Sequence, residues 1–206
     1  ETAFVAVPGM QAAIDLLERQ GTPRELAMAY ATMAQLHLLG ETSVPAYEWG
    51  RKALALLEGL ADAEGLACAE GLAYALNTVG TAQLRSEDAP EAWALLARSR
   101  DIALAHGFEV HAARAYLNTA SLCVVHRRQA DLEAACAEGI AHCEAHDMDM
   151  YLCRLRIRHC FALLESGQWD AAEEQRGRIE AAEGRIQKLQ REIGLANLSA
   201  ERVERQ

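Results

Sequence analysis

With 206 residues, 51% of them hydrophobic, the chain is long enough to bury a continuous core in one large domain or two small ones. Its formal net charge of −10 at pH 7 argues against direct nucleic-acid binding, because the average surface would repel a phosphate backbone. No apolar run approaches the roughly 20 residues that span a bilayer and no targeting leader is visible, so we expect a cytoplasmic protein without membrane contact.

Alanine and leucine dominate while β-branched residues are scattered, a composition that favours helices almost everywhere. Helix ends are predicted at Gly40, Gly107 and Gly167, because glycine commonly follows a last helical turn. Helix starts are predicted near capping residues with a proline close by: Thr22, Thr42, Ser43 and Asp88, with Pro23, Pro45 and Pro90. We therefore predict an all-α chain of eight or nine helices, each of about 15 to 20 residues.

The sequence also repeats itself, since Leu-Asn-Thr at residues 76–78 recurs at residues 117–119. Three series of mostly small residues share spacings of 46 and 40, and the first two continue with a further 40; Leu132 is the one misfit. The series are Ala34, Gly80, Ala120 and Cys160; Ala46, Ala92, Leu132 and Ala172; Ala53, Ser99 and Gly139. Closely packed helices need small residues where they touch, so we predict a helical repeat of about 40 residues with Gly80, Ala120 and Ala172 buried. An irregular helical bundle without a superhelical groove is the alternative.

The segment Gly-Gln-Trp-Asp-Ala-Ala at residues 167–172 resembles the turn of a tetratricopeptide repeat. The segments ALNTVGTAQL and ARAYLNTASL resemble the helical sensor region of large ATP-binding LuxR-type bacterial transcriptional regulators, and the resemblance covers residues 22–175. It implies that residues 1–175 form a right-handed superhelix of antiparallel helix pairs, followed by a long C-terminal helix. The repeat of about 40 residues exceeds the usual length of about 34, and Arg127 stands where the family prefers glycine, which points to an elongated variety.

Residues 176–206 carry a seven-residue apolar pattern and are predicted to form a separate amphipathic helix. The pattern places Ile179, Ile186, Leu189 and Ile193 along one seam, through which two copies could pair as a coiled coil and form a homodimer. A single helix that caps the last repeat fits the same pattern, since helical-repeat proteins require an end cap.

Catalytic motifs such as a phosphate-binding loop, a GxSxG turn or an HExxH helix are missing from the sequence, so we expect no enzymatic activity. His142 and His146 share a helical face and could bind a metal ion with Cys143 or Asp147. Contact of protonated histidine with the negative end of a helix explains the pair more simply, so we expect no metal and no cofactor.

Six cysteines lack CxxC spacing. Antiparallel packing could bring Cys143 near Cys153 and Cys136 near Cys160, as redox pairs or metal ligands. The repeat register instead places Cys123, Cys136 and Cys160 in the core, which favours reduced thiols that act as small hydrophobic groups.

In the repeat register the first helix of each unit lines a concave surface. The predicted ligand- or partner-binding positions on it are Met28, Gln35, Tyr74, Asn77, Thr81, Arg114, Ser121, Arg154 and Phe161. Arg114 and Arg154 are 40 residues apart, so adjacent repeats would present two guanidinium groups in line to hold a carboxylate or phosphate. The alternative is that both are ordinary solvated surface arginines.

These patterns favour a non-enzymatic helical-repeat sensor or protein-interaction domain that binds a peptide, a partner protein or a small anionic ligand in its concave groove. The resemblance implies transcription regulation in bacterial signalling. Because the chain begins with Glu1, we expect it to be a piece of a longer protein. One alternative is the regulatory arm of an enzyme such as a diguanylate cyclase, because Gly-Leu-Ala-Asn at residues 194–197 resembles the start of a diguanylate cyclase domain. The other is a stand-alone assembly scaffold.

Overall fold

The computed structural model describes residues 2–181 and 184, and this part of the chain is all-α, as predicted. A ninth helical segment, α9, covers residues 169–181. The eight preceding helices are α1 (Thr2–Gln20), α2 (Pro23–Leu39), α3 (Ser43–Glu64), α4 (Leu66–Leu84), α5 (Pro90–His106), α6 (Glu109–Val125), α7 (Gln129–Ala145) and α8 (Asp149–Glu165). None of the described helices combines the length and the apolar character needed to cross a membrane.

Several helix boundaries lie where the positions of glycine and proline in the sequence predicted them. Pro23 and Pro90 open α2 and α5, because proline lacks the N–H that a first helical turn leaves unbonded anyway. Gly40 and Gly107 directly follow α2 and α5, which confirms two predicted ends. Thr22 precedes α2 as expected, but its side chain does not cap the helix.

Four consecutive helices, α5 to α8, are each 17 residues long. Each is closely followed by a residue with positive φ: Gly107 (68°), Arg127 (53°), Asp147 (53°) and Gly167 (73°). These residues reverse the chain in the left-handed region that glycine adopts without strain. Their spacing of 20 residues makes one helix pair 40 residues long.

The helices pack in an alternating order. The even-numbered helices contact one another in sequence, α2 against α4, α4 against α6 and α6 against α8. Within the described part of the chain, α3, α5 and α7 pack mainly against the helices before and after them, and one ion pair, Arg98 with Glu58, joins α5 to α3. The even-numbered helices therefore form a continuous row.

Small residues lie where these helices touch. Gly80, Ala120 and Ala172 are buried, which confirms the prediction made from their spacing. A Cβ on Gly80 would lie 2.9 Å from the carbonyl oxygen of Ala92, and a Cβ on Gly139 would lie 2.7 Å from the Cβ of Tyr116. Any larger side chain would force these helices apart.

The buried apolar residues divide into two main clusters. One joins α1 to α4 and includes Ile14, Leu57 and Leu76, and the other joins α6 to α8 and includes Leu132 and Leu155. Between them, α5 contributes to a smaller cluster with the end of α4 and one side chain of α6.

Cys123, Cys136, Cys143 and Cys160 are thiols without a disulfide bond. Cys123 and Cys136 are buried, as predicted, and burial raises the pKa of Cys136 to about 12. Cys160 is only partly buried, and its Sγ lies 3.6 Å from the carbonyl oxygen of Ala172. Buried, protonated thiols of this kind behave as small hydrophobic groups.

The predicted division at residues 175 and 176 falls inside α9, which continues without a break to residue 181. Ile179, the first predicted seam residue, is half-buried. Ile186, Leu189 and Ile193 lie outside the described residues, so pairing through this seam stays a prediction.

Candidate functional site

A cavity of about 310 Å³ opens on the row of even-numbered helices, where α4, α6 and α8 lie side by side. We call it the arginine groove. Its lining residues are Thr81, Arg85, Leu117, Asn118, Ser121, Leu122, Val125, Arg154 and Arg158. Its size is at the lower end of the range of sites that hold small molecules, which begins at about 300 Å³.

The lining of the arginine groove is positively charged. It includes the guanidinium groups of Arg85, Arg154 and Arg158, and none of the described residues that line it is acidic. The chain as a whole carries a formal charge of −10, so this surface is opposite in sign to the molecule around it. An anion that approaches the protein is repelled by most of the surface and attracted here.

Two of the three arginines are held in place by hydrogen bonds. Nη1 of Arg85 donates to the carbonyl oxygen of Leu38 over 2.8 Å, and Nε of Arg158 donates to Oγ of Ser121 over 3.0 Å. Arg154 is exposed, and it has no hydrogen bond or ion pair with any residue that the structure describes. Its donors are therefore available to a ligand, beside two partners that are already oriented.

Polar groups lie beside the arginines. Nδ2 of Asn118 donates to Oδ1 of Asn77 over 2.6 Å, which joins the two copies of the repeated Leu-Asn-Thr tripeptide. Oγ1 of Thr81 is buried and has no hydrogen-bond partner among the described residues. An unpaired buried hydroxyl costs about 1 to 3 kcal/mol, so a ligand or water that bonded it would gain free energy.

Arg114 lies outside the arginine groove and takes part in helix packing. Its Nη2 donates to the carbonyl oxygen of Tyr74 over 3.1 Å, and its guanidinium carbon lies 4.1 Å from the centre of the Tyr74 ring. Burial lowers the pKa of Arg114 and raises that of Tyr74. The interpretation of Arg114 as a solvated surface arginine is therefore wrong. It does not line the arginine groove with Arg154.

Of the predicted binding residues, Thr81, Ser121 and Arg154 line the arginine groove. The others lie elsewhere. Met28 packs its sulfur against Gly71, and Oε1 of Gln35 accepts a hydrogen bond from Thr78 over 3.3 Å. Asn77 is 1% exposed behind the groove, and Phe161 is 49% exposed away from it.

Three residues that line the arginine groove were not predicted from the sequence: Arg85, Asn118 and Arg158. Arg158 follows Arg154 by one helical turn, a spacing that places both side chains on one face of α8. Asn118 belongs to the repeated Leu-Asn-Thr tripeptide, so its hydrogen bond to Asn77 could have been predicted from the repeat. Arg85 directly follows α4 and has no counterpart in the small-residue series.

No protein-family model and no curated protein matches the sequence. The geometry and charge of the arginine groove are what indicate a function.

Proposed function

We propose that this chain is a non-enzymatic helical-repeat domain that binds a small anionic ligand in the arginine groove, as the sensor part of a bacterial signalling or transcriptional regulator. The observation that carries the proposal is the set of three guanidinium groups without a lining carboxylate. Guanidinium groups bind carboxylate and phosphate in a bidentate manner. An acidic side chain of a peptide or partner protein presents the same chemistry.

The fold proposed for this function is a right-handed, tetratricopeptide-like superhelix with repeats of about 40 residues. The alternating contacts support it, because in such repeats the first helices of successive units pack in a row. The 20-residue spacing of the left-handed turn residues supports the length of the repeat. In this arrangement α4, α6 and α8 are first helices, and the row they form is the inner, binding surface.

Binding rather than catalysis is supported by the chemistry of the lining. The groove offers hydroxyl, amide, guanidinium and aliphatic groups. Among the described residues that line it there is no carboxylate, imidazole or thiol to serve as a general base or as an activated nucleophile. Such a surface can hold and orient an anion without transforming it.

The first prediction concerns Arg154, which bonds to no described residue and can be changed without cost to the fold. Arg154→Gln should weaken anion binding at least about tenfold, because a charge-assisted hydrogen bond contributes about 1.5 to 3 kcal/mol. Arg154→Gln/Arg158→Gln should weaken it further. The measurement is calorimetric titration with inorganic phosphate, citrate and hexaglutamate at low ionic strength, with thermal unfolding as the check on folding.

The matched control is Arg51→Gln, which removes an exposed arginine of α3 outside the groove and should leave binding unchanged. Raising the salt concentration should weaken binding in the wild type and the control alike, since exposed charges are screened. The proposal would be wrong if the wild type and the double variant bound every probe with equal affinity. So would the failure of all three probes to bind the wild type.

A further inference from the structure

A second group of side chains, separate from the arginine groove, lies where the first turn of α6 meets the last turn of α7. Glu109 is the first residue of α6, His142 lies in the last turn of α7, and His146 directly follows that helix. One carboxylate oxygen and one nitrogen of each ring all lie within 4.8 Å of one another. Antiparallel packing of α6 and α7 thus joins residues that are 33 and 37 positions apart.

Two of the three distances between the ligand atoms match those around a single metal ion. Nε2 of His142 and Nε2 of His146 lie 3.4 and 3.3 Å from the same carboxylate oxygen, Oε2 of Glu109. Zinc binds histidine nitrogen and carboxylate oxygen at about 2.0 to 2.2 Å, so ligand atoms around a tetrahedral ion are roughly 3.3 to 3.6 Å apart. The third distance, between the two rings, is bounded at 4.8 Å, so the rings need to adjust only around the shared carboxylate.

The ring of His146 is oriented for metal binding. Its Nδ1 lies 2.8 Å from the carbonyl oxygen of His142, and an Nδ1–H that donates there leaves the lone pair on Nε2. A hydrogen bond from the second ring nitrogen to a backbone carbonyl is the usual way in which proteins orient a metal-binding histidine.

The ring of His142 is fixed by packing. Its side chain is only 7% exposed and lies against the ring of Tyr116, with the ring centres 5.9 Å apart. Nε2 of His142 is 3.1 Å from the carbonyl oxygen of Glu109, to which the metal-free ring donates its proton. When Nε2 binds an ion, the neutral ring changes to its other tautomer, in which its one N–H is on Nδ1.

The third ligand differs from the candidates that the sequence offered. Cys143 is fully buried in the core between α6 and α8, away from the three clustered side chains. Asp147 forms the turn after α7 with a positive φ and is not one of the three clustered residues. Glu109, from the preceding helix, provides the carboxylate instead.

The cluster of one carboxylate and two imidazoles is not repeated in the preceding helix pair. At the equivalent positions 40 residues earlier the chain has Ala69, Ile102 and His106, of which only the last could bind a metal. The cluster is therefore a local feature of the α6–α7 pair and no general consequence of the fold.

We propose that Glu109, His142 and His146 bind one divalent transition-metal ion of the zinc class. Two imidazoles and a carboxylate are ligands that suit zinc. The fourth coordination position of the ion would face solvent, because the side chains of Glu109 and His146 are each 38% exposed. The bound ion ties the start of α6 to the end of α7. This site does not depend on the function proposed for the arginine groove.

The test is titration of tag-free, fully reduced protein with Zn²⁺ and, as a spectroscopic probe, with Co²⁺. The wild type should bind about one equivalent, its melting temperature should rise with Zn²⁺, and Co²⁺ should give the intense visible absorption of a four-coordinate ion. Glu109→Gln and His146→Ala should each lower the affinity at least about tenfold, since each removes a ligand. His106→Ala, an exposed histidine at the same position one repeat earlier, should bind like the wild type.

The two variants were chosen because both side chains are partly exposed, so each variant should fold, which thermal unfolding without metal would verify. Three results would overturn the proposal. They are no binding by the wild type, unchanged affinity in both variants, or a strong thiolate-to-cobalt absorption band, which would place the ion on cysteine.

Discussion

Arg114 shows how the environment of one side chain decides its role. A partly buried guanidinium needs hydrogen bonds and a favourable surface to offset the loss of water. Arg114 finds both on Tyr74, whose carbonyl oxygen accepts a hydrogen bond from Nη2 and whose ring lies beneath the positive charge, while its Nε has no partner among the described residues. The contact joins α4 to α6 and makes Arg114 a packing residue.

The corresponding prediction is that Arg114→Gln lowers the free energy of unfolding by about 1 to 3 kcal/mol, because it removes a charge-assisted hydrogen bond and a cation–π contact. Arg154→Gln, the same change 40 residues later, should alter it by less than about 0.5 kcal/mol. Urea denaturation of both variants measures the difference. Identical midpoints would show that the Tyr74 contact contributes nothing to stability.

The sequence could predict that Arg114 and Arg154 are equivalent in register, but not what each side chain would meet. Arg114 follows Tyr74 by 40 residues and stacks on its ring, whereas Arg154 follows Arg114 and has no ring to stack on. Arg154 instead lines the arginine groove beside Arg158. The groove depends on these side-chain partners, which a single sequence does not contain.

Among the helices, the turn residues explain which boundaries were predictable. Glycine marks the ends of α2 and α5, and both were predicted. The left-handed residues after α6 and α7 are Arg127 and Asp147, so these two boundaries carry no glycine signal. Each of these non-glycine residues adopts its positive φ at a cost of about 1 to 2 kcal/mol, which the packing of the flanking helices offsets.

Replacement of glycine by alanine should have opposite effects on stability inside a helix and in a left-handed turn. Gly59 is exposed inside α3 with open space around its missing Cβ, so Gly59→Ala should stabilise the protein by about 1 kcal/mol. Gly107 has a φ of 68°, so Gly107→Ala should destabilise it by a similar amount. Thermal unfolding measures both changes. Shifts of the same sign would contradict the assigned backbone conformations.

At the scale of the whole molecule, the apolar core is divided between α1–α4 and α6–α8, with α5 between them. The composition predicted an all-α chain, because helix-forming residues are spread over its whole length. The position of the division could not be predicted, since it depends on which buried side chains touch across α5. Arrays in which each unit contacts only its neighbours can unfold in parts.

Ala120→Leu tests this division, because it overpacks a fully buried contact of the α6–α8 cluster and should cost about 1 to 3 kcal/mol. Amide hydrogen exchange followed by mass spectrometry should speed up in α6, α7 and α8 and change little in α2 and α3. Equal acceleration in all helices would show that the chain unfolds as one cooperative unit.

The arginine groove spans this division, since Arg85 comes from the end of α4 while Arg154 and Arg158 come from α8. If the proposed anion bonds all three arginines, it links side chains from both apolar clusters across α5. We then expect the bound protein to bend less readily at α5 than the free protein, even where its helices are unchanged.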